Sequence, residues 1–402
     1  MGLNEVPSGE RIHIGFFGLR NAGKSSLVNA VTGQELSLVS DVAGTTTDPV
    51  RKAMELLPLG PVVIIDTPGI DDEGALGEMR VRRAREVLEK TDIAVLVTEA
   101  GREPVPAEAE LVQLILERRI PLVIARNKND LFSGDRPLSS AVPEGSKEIT
   151  VSAVTGENII ELKELLASLA QKWEEKRKVL VSDLLAPGDT VVLVVPIDES
   201  APKGRLILPQ QQVMRDILDA HGKFIVCQPE EVRETLASLS EKPGLVITDS
   251  QAFGRVSKDI PEDILLTSFS ILFARYKGEL QALVNGASVL SRLTSKDKVL
   301  ISEGCTHHRQ CNDIGTVKMP GWIRAFSGAE PEFDFTSGGT FPEDLSRYSL
   351  IVHCGGCMLN EKEMKTRMAR AASYNVPIVN YGIAIAHMHG ILKRSLEPFG
   401  IT

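Results

Sequence analysis

The run Gly18-Leu-Arg-Asn-Ala-Gly-Lys24-Ser25 fits the pattern G-x-x-x-x-G-K-S/T, and that pattern works only as the turn between a β-strand and an α-helix. Its glycines let backbone N–H groups converge on phosphate oxygens, and the helix N-terminus adds a favourable dipole. Lys24 reaches the β- and γ-phosphate oxygens and the Ser25 hydroxyl ligates Mg²⁺. Both flanking elements are present: residues Arg11 to Gly18 alternate as an apolar strand, and Lys24 to Thr32 continue as a helix. Gly18, Asn21, Ala22, Gly23, Lys24, Ser25 and Ser26 are the phosphate-side candidates.

Further strand-like runs at Val62 to Asp66, Ile93 to Thr98, Pro121 to Asn127 and Glu148 to Ser152 alternate with helical runs at Leu76 to Lys90 and Ala107 to Arg118. The alternation predicts an α/β fold: an N-terminal P-loop GTPase domain over 1–177, closed by a charged helix at Glu161 to Lys178. Two smaller α/β domains follow. Residues 178–268 carry strand patterns at Thr190 to Pro196, Lys223 to Cys227, Leu245 to Asp249 and Ile264 to Ser268, with helical patterns at Pro209 to His221 and Pro229 to Leu239. So small a sheet exposes its edges, which predicts a dimerisation domain. Residues 269–402 start with a periodic stretch, Ile271 to Leu293, then strands at Lys298 to Ser302, Leu350 to His353 and Pro377 to Tyr381, and a helix at Glu361 to Tyr374.

Three elements after the P-loop identify the nucleotide. Asp66-Thr-Pro-Gly69 ends a strand and offers a carboxylate for Mg²⁺ and a glycine N–H for the γ-phosphate. Asn127-Lys128-Asn129-Asp130 ends another. A carboxylate at Asp130 accepts both guanine N1–H and N2–H₂, a donor pair adenine lacks, so the nucleotide is GTP. Ser152 and Ala153 fit the last guanine-contacting loop. The net charge of −9 counts against nucleic-acid or anionic-membrane partners. No apolar run approaches the roughly 20 residues that span a bilayer; the longest, near Thr190 to Ile197, is broken by Pro196. Without a charged n-region and apolar h-region at the start, and with Val6 where myristoylation expects Ser or Thr, a cytoplasmic chain is expected.

A second constellation lies near the C-terminus. Cys305-Thr-His307 is followed after 45 residues by His353-Cys354-Gly-Gly-Cys357. The glycines let the turn curl so that both sulfurs face one centre. On chemistry alone the candidates are zinc held by three Cys and a His, an iron-sulfur cluster held by three Cys, or free thiols. Cys311 reads as a spare thiol, Cys227 as core, His308, His387 and His389 as non-ligands, and the Arg82, Arg83, Arg85 run as a solvated face.

Residues 11 to about 175 resemble the TrmE and Era group of GTPases. Gly44-Thr45-Thr46-Thr47-Asp48 is similar to that group's GTTRD switch, with Thr47 in place of Arg, and the resemblance implies that Thr46 closes on Mg²⁺ and γ-phosphate. Lys24, Thr46, Asp66 and Gly69 are then the catalytic set. Ile70 stands where Ras-type enzymes carry a water-positioning Gln. Asn21 matches the Asn that ligates K⁺ in the TrmE branch, which implies potassium activation.

With the C-x-H-x45-H-C-x-x-C pattern, and Asp313-Ile-Gly-Thr-Val-Lys-Met-Pro320 after it, the whole chain resembles the HydF family of [FeFe]-hydrogenase maturation GTPases. That resemblance implies a [4Fe-4S] cluster on Cys305, Cys354 and Cys357, with His307 and His353 as ligands or as hydrogen-bond partners of the ligands. It implies a homodimeric GTP-hydrolysing scaffold that carries a diiron precursor to apo-[FeFe]-hydrogenase, supplied by two radical-SAM maturases. The competing expectations are a ribosome- or tRNA-directed GTPase with a zinc tail, and a redox sensor whose cluster gates GTP hydrolysis.

Overall fold

The computed structural model describes residues 8–34, 50–70, 84–132, 143–174, 179–197, 206–304 and 313–401. The chain divides into two compact units, Met1–Arg177 and Lys178–Thr402.

In the first unit, β1 (Ile12–Phe17), β2 (Val50–Leu56), β3 (Gly60–Asp66), β4 (Ile93–Glu99), β5 (Leu122–Asn127) and β6 (Lys147–Thr150) form one sheet in the order β2-β3-β1-β4-β5-β6. Only the β2–β3 pair is antiparallel. Strand β1 is buried along its whole length, as expected for a parallel strand covered on both faces. Alternate side chains feed separate cores. Ile14, Phe16, Val62, Ile64 and Val95 pack with Leu27 of α1 (Lys24–Thr32) and with Leu162 and Leu166 of α3 (Ile159–Glu174). Phe17, Val63, Ile65 and Leu96 pack on the other face with Leu111 and Ile115 of α2 (Pro106–Glu117). Of the helix expected over Leu76 to Lys90, residues 84–88 are helical and 71–83 lie outside the described residues. Strand β2 has no clean apolar alternation because it is an exposed edge, inward-facing only near Leu56, and sequence pattern alone does not find it.

The second unit holds two all-parallel sheets. Strands β7 (Thr190–Val194), β8 (Lys223–Cys227), β9 (Leu245–Thr248) and β10 (Leu266–Ser268) run in the order β10-β9-β7-β8. Strands β11 (Lys298–Ser302), β12 (Glu332–Thr336), β13 (Leu350–His353) and β14 (Ile378–Asn380) run in the order β12-β11-β13-β14. The helices are α4 (Leu208–Asp219), α5 (Val232–Ser238), α6 (Phe253–Asp259), α7 (Phe269–Lys277), α8 (Leu280–Ala287), α9 (Met319–Ser327), α10 (Glu361–Ser373), α11 (Tyr381–Met388) and α12 (Leu392–Leu396). One core contains Val192, Val194 and Val246 from the first sheet together with Val299, Ile301 and Val352 from the second. Helix α7 is buried almost all round. Phe269, Leu272, Phe273 and Tyr276 face one core, and Ile271 and Ala274 face the other. A helix buried on nearly every face is interior, and its apolar residues supply both cores.

The periodic stretch from Ile271 to Leu293 is not one helix. It breaks at Gly278, whose backbone is extended at φ −128° and ψ −162°, and the chain restarts as α8 and a 3₁₀ turn at Ser288–Arg292. Glycine is a poor helix former, and apolar periodicity does not register the interruption. Helices α6, α9 and α11 and strand β12 are also elements that the sequence pattern does not reveal. Among the described residues no helix is long and apolar enough to cross a membrane.

Helix α8 crosses β14 so closely that a Cβ on Gly286 would lie 2.1 Å from the Ile378 carbonyl oxygen. Gly286→Ala is expected to cost about 1–3 kcal/mol through overpacking. The check is a thermal melt, in which the second unit's midpoint falls by several degrees while the first unit's stays fixed.

Candidate functional site

The loop after β1 is shaped around Gly23, the N-cap of α1, which sits in the left-handed region at φ 87°. A Cβ there would lie 2.2 Å from Asn127 Nδ2, so only glycine admits the close approach. Asn21 is also left-handed, at φ 59°, and exposed. Lys24 is buried, and its Nζ donates to the Gly18 carbonyl at 3.1 Å and the Leu19 carbonyl at 2.6 Å, holding the ammonium inside the loop. The Ser25 hydroxyl donates to Asp66 Oδ2 at 2.7 Å. The end of β3 and the first turn of α1 thus present a paired hydroxyl and carboxylate, hard oxygen donors suited to Mg²⁺. The Thr67 hydroxyl donates to the Phe16 carbonyl at 2.7 Å, which ties the strand end carrying Gly69 to β1. Ile70, the residue that follows the DTPG turn, is buried in the core.

Asn127, at the end of β5, is 2% exposed and works as a latch. Its Nδ2 donates to the Ala22 carbonyl at 3.1 Å, and its Oδ1 accepts from the Ala153 N–H at 3.1 Å. One amide joins the phosphate loop to the base loop. Asp130 Oδ1 accepts from the Ser152 hydroxyl at 2.5 Å, which orients the carboxylate expected to read guanine. Lys128, left-handed at φ 63°, pairs with Glu99. The structure therefore brings Gly18, Asn21, Ala22, Gly23, Lys24, Ser25, Ser26, Asp66, Gly69, Asn127, Lys128, Asp130, Ser152 and Ala153 to the strand ends and loops of one sheet. Thr46 and its neighbours Thr45 and Thr47 lie outside the described residues, as do Arg82 and Arg83, while Arg85 is exposed.

The second cluster forms where β11 and β13 end side by side, with Ser302 in register with His353. The Cys354 N–H donates to the Ser302 carbonyl at 2.9 Å. Cys354 Sγ accepts from the Gly304 N–H at 3.0 Å and the Gly356 N–H at 3.4 Å, the backbone pattern that stabilises a thiolate. Gly304 leads directly into Cys305, which with His307, His308 and Cys311 lies outside the described residues. Burial pushes the Cys357 thiol up, neighbouring Cys354 adds to the rise, and Lys277 opposes it. Tyr381 is pushed well up, first by burial and then by Cys354, Glu303 and Asp313 around it. Two sulfurs in a curled C-x-x-C turn, with N–H donors on one of them, fit a thiolate-ligated metal or cluster. Among the described residues no group of three or more His, Cys, Asp or Glu has metal-holding geometry.

His353 is fully buried and both ring nitrogens are engaged. Nδ1 lies 2.8 Å from the Cys354 carbonyl and Nε2 lies 3.1 Å from Arg367 Nη1. A carbonyl only accepts and a guanidinium only donates, so the neighbours fix the Nδ1–H tautomer and occupy the Nε2 lone pair. Arg367, itself buried, also donates to the Gly338 carbonyl and to Glu363 Oε1, each at 2.9 Å. Of the other residues singled out from sequence, Cys227 is a buried free thiol closing β8. His387, in the last turn of α11, lies 3.1 Å from the Ser291 hydroxyl, with its pKa lowered by burial.

Three family models cover most of this architecture. Residues 13–128 match "50S ribosome-binding GTPase", residues 180–278 the hydrogen maturase F dimerization domain, and residues 281–398 the hydrogen maturase F tetramerization domain. The chain belongs to the HydF family of hydrogenase-maturation GTPases. Its N-terminal unit is a P-loop GTPase domain, and its second unit carries the two domains that the family models name for dimerization and tetramerization. Two similar curated proteins each match under half of the HydF-family chain. The tRNA modification GTPase MnmE of Xanthomonas oryzae pv. oryzae (strain MAFF 311018) is 41% identical over 160 residues, 40% of this chain and 34% of that protein. GTPase Der of Wolinella succinogenes is 33% identical over 184 residues, 43% of this chain and 38% of that one. The chain thus spans about a third of the length of these relatives. A solved structure of Aquifex aeolicus Era bound to GDP and AlF4⁻ aligns at 19% identity and TM-score 0.35, covering 54% of this chain and 93% of that one.

Lys277 and Arg367 touch the cysteine turn and its flanking histidine, yet no short-range pattern marks them, because each reaches the site from a helix. The Asn127 latch can be tested directly. At about 1–3 kcal/mol for each buried group left unsatisfied, Asn127→Ala is expected to weaken guanine-nucleotide binding more than tenfold, measured by titration calorimetry.

Proposed function

We propose that this chain is a GTP-driven scaffold that holds a [4Fe-4S] cluster on Cys305, Cys354 and Cys357 and delivers a diiron unit to apo-[FeFe]-hydrogenase. The observation that carries the reading is the Cys354 sulfur receiving two backbone N–H groups at the strand ends that lead into Cys305, in a chain matched by both hydrogen maturase F domains. When bound, the cluster supplies an iron site to which a diiron unit can be bridged. His353 acts as a hydrogen-bond partner and not as a ligand, because Arg367 occupies its Nε2; His307 stays a candidate for the fourth position. The radical-SAM maturases are the proposed suppliers of the diiron unit, and the cytoplasm is the proposed compartment.

In the GTPase unit, Lys24 holds phosphate charge, Ser25 and Asp66 hold Mg²⁺, and Gly69 and Thr46 meet the γ-phosphate. Asp130, oriented by Ser152, selects guanine, with Lys128 and Ala153 framing the base. With Ile70 in place of a water-positioning Gln, K⁺ at Asn21 is proposed to supply transition-state charge. Ordering of the Thr45–Thr47 loop by GTP is the switch read out by partners. The dimer forms along β8, an outer strand whose Ile225 and Val226 are exposed, since open edges recruit a second copy.

Protein purified without oxygen is expected to contain about four iron and four sulfide per chain, with an S = ½ EPR signal after dithionite reduction that is lost in Cys354→Ala. One zinc with no sulfide overturns the scaffold and favours a tRNA-directed GTPase. Lys24→Ala is expected to lose nucleotide binding while keeping its iron. Asn21→Ala is expected to hydrolyse GTP at equal rates in K⁺ and Na⁺; a retained preference for K⁺ removes Asn21 from the cation site.

A further inference from the structure

Lys277 ends α7 and is 1% exposed. Its Nζ donates to the carbonyls of Gly356 at 3.3 Å, Cys357 at 3.2 Å and Leu359 at 2.8 Å. The ammonium also lies 5.6 Å from the centroid of the Phe273 ring. An ammonium has three protons and no acceptor, and all three carbonyls belong to one turn, the turn that closes the C-x-x-C motif. Taking an ammonium out of water is costly unless negative charge lies near it. The Cys354 and Cys357 sulfurs, which can carry such charge, belong to the motif closed by the very turn that the ammonium grips.

We propose that Lys277 is the fixed counter-charge of the iron-sulfur site: its ammonium clamps the 356–359 turn in ligating geometry and offsets the negative charge of the thiolate-bound cluster. The inference rests on the reading that Cys354 and Cys357 bind iron. It also has a topological consequence. The sulfurs lie in the segment matched by the tetramerization model, 281–398, whereas the charge lies in the segment matched by the dimerization model, 180–278. The cluster site is therefore completed by a helix of the neighbouring domain within the same chain.

The test uses the full-length chain, reconstituted without oxygen with ferrous iron and sulfide, as wild type, Lys277→Arg and Lys277→Gln. Gln keeps an N–H donor and loses the charge. Iron and sulfide content is measured for each, and the cluster's midpoint potential is found by EPR-monitored redox titration. Lys277→Arg is expected to match wild type. Lys277→Gln is expected either to lose most of its iron while staying folded or to load with its reduction equilibrium shifted at least tenfold toward the oxidised form, about 59 mV more negative for a one-electron couple. A loaded Lys277→Gln within twofold of wild type overturns the counter-charge role and leaves the cluster reading intact. If Lys277→Gln fails to fold even when paired with Cys357→Ser, the lysine serves folding alone and the proposal falls. Wild type that takes up no iron overturns the cluster reading itself.

Discussion

Parallel strand pairing is the constraint on which the chemistry of this chain depends. In a parallel sheet every strand ends at the same edge, and the loops leaving that edge lie side by side. In the first unit β1, β3 and β5 deliver the phosphate loop, the Asp66 turn and Asn127 to that edge. In the second unit β11 and β13 end in register at Ser302 and His353, so two chain segments about fifty residues apart meet at Cys354. A one-residue slip of β13 against β11 would turn His353 out of its buried network and carry the cysteine turn with it.

Side-chain amides and cations then do locally what pairing cannot. Asn127 bridges two loops that belong to different strand ends, and the bridge is rigid because its atoms are nearly inaccessible to water. Arg367 does the same for His353, reaching from α10 to a ring nitrogen, a backbone carbonyl and a carboxylate together. The planar fork of a guanidinium suits that triple task, where a lysine would satisfy fewer partners in one plane. Lys277 has the complementary task of filling a bowl of three carbonyls, for which a rotatable ammonium is the better shape.

The parts of this arrangement legible in sequence are those in which backbone geometry forces a residue type. Gly23 is required by a left-handed turn that a side chain cannot enter, and the Lys24–Ser25 pair follows from it. Asp130 is legible because base chemistry dictates a carboxylate, and the Cys354–Cys357 spacing because two sulfurs must share a centre. Strands buried along all or nearly all of their length, such as β1 and β7, announce themselves as apolar runs. What escaped is set by tertiary context. Strand β2 is an edge whose outward residues carry no pattern, and β12 is an edge with exposed Glu332 and Phe335. The break at Gly278 hides inside continuous apolar periodicity. Lys277 and Arg367 look like ordinary helix-face charges until the fold buries them.

Helix α7 explains why the second unit behaves as one body although sequence divides it near residue 268. Cut there, the helix would leave the first sheet without the Phe269, Leu272, Phe273 and Tyr276 side chains that complete its core. Kept with the first sheet, it still reaches across with Ile271 and Ala274 into the core of the second. Its N-terminal end receives the Asn380 amide at the Ser270 carbonyl, 2.8 Å away, and its C-terminal residue grips the cysteine turn. A helix fixed at both ends against one sheet, and packed along its length on the other, transmits displacement between them, since close-packed interiors deform little. Lys277 thus joins the helix that completes the β7–β10 core to the Cys354–Cys357 turn with no intervening loop.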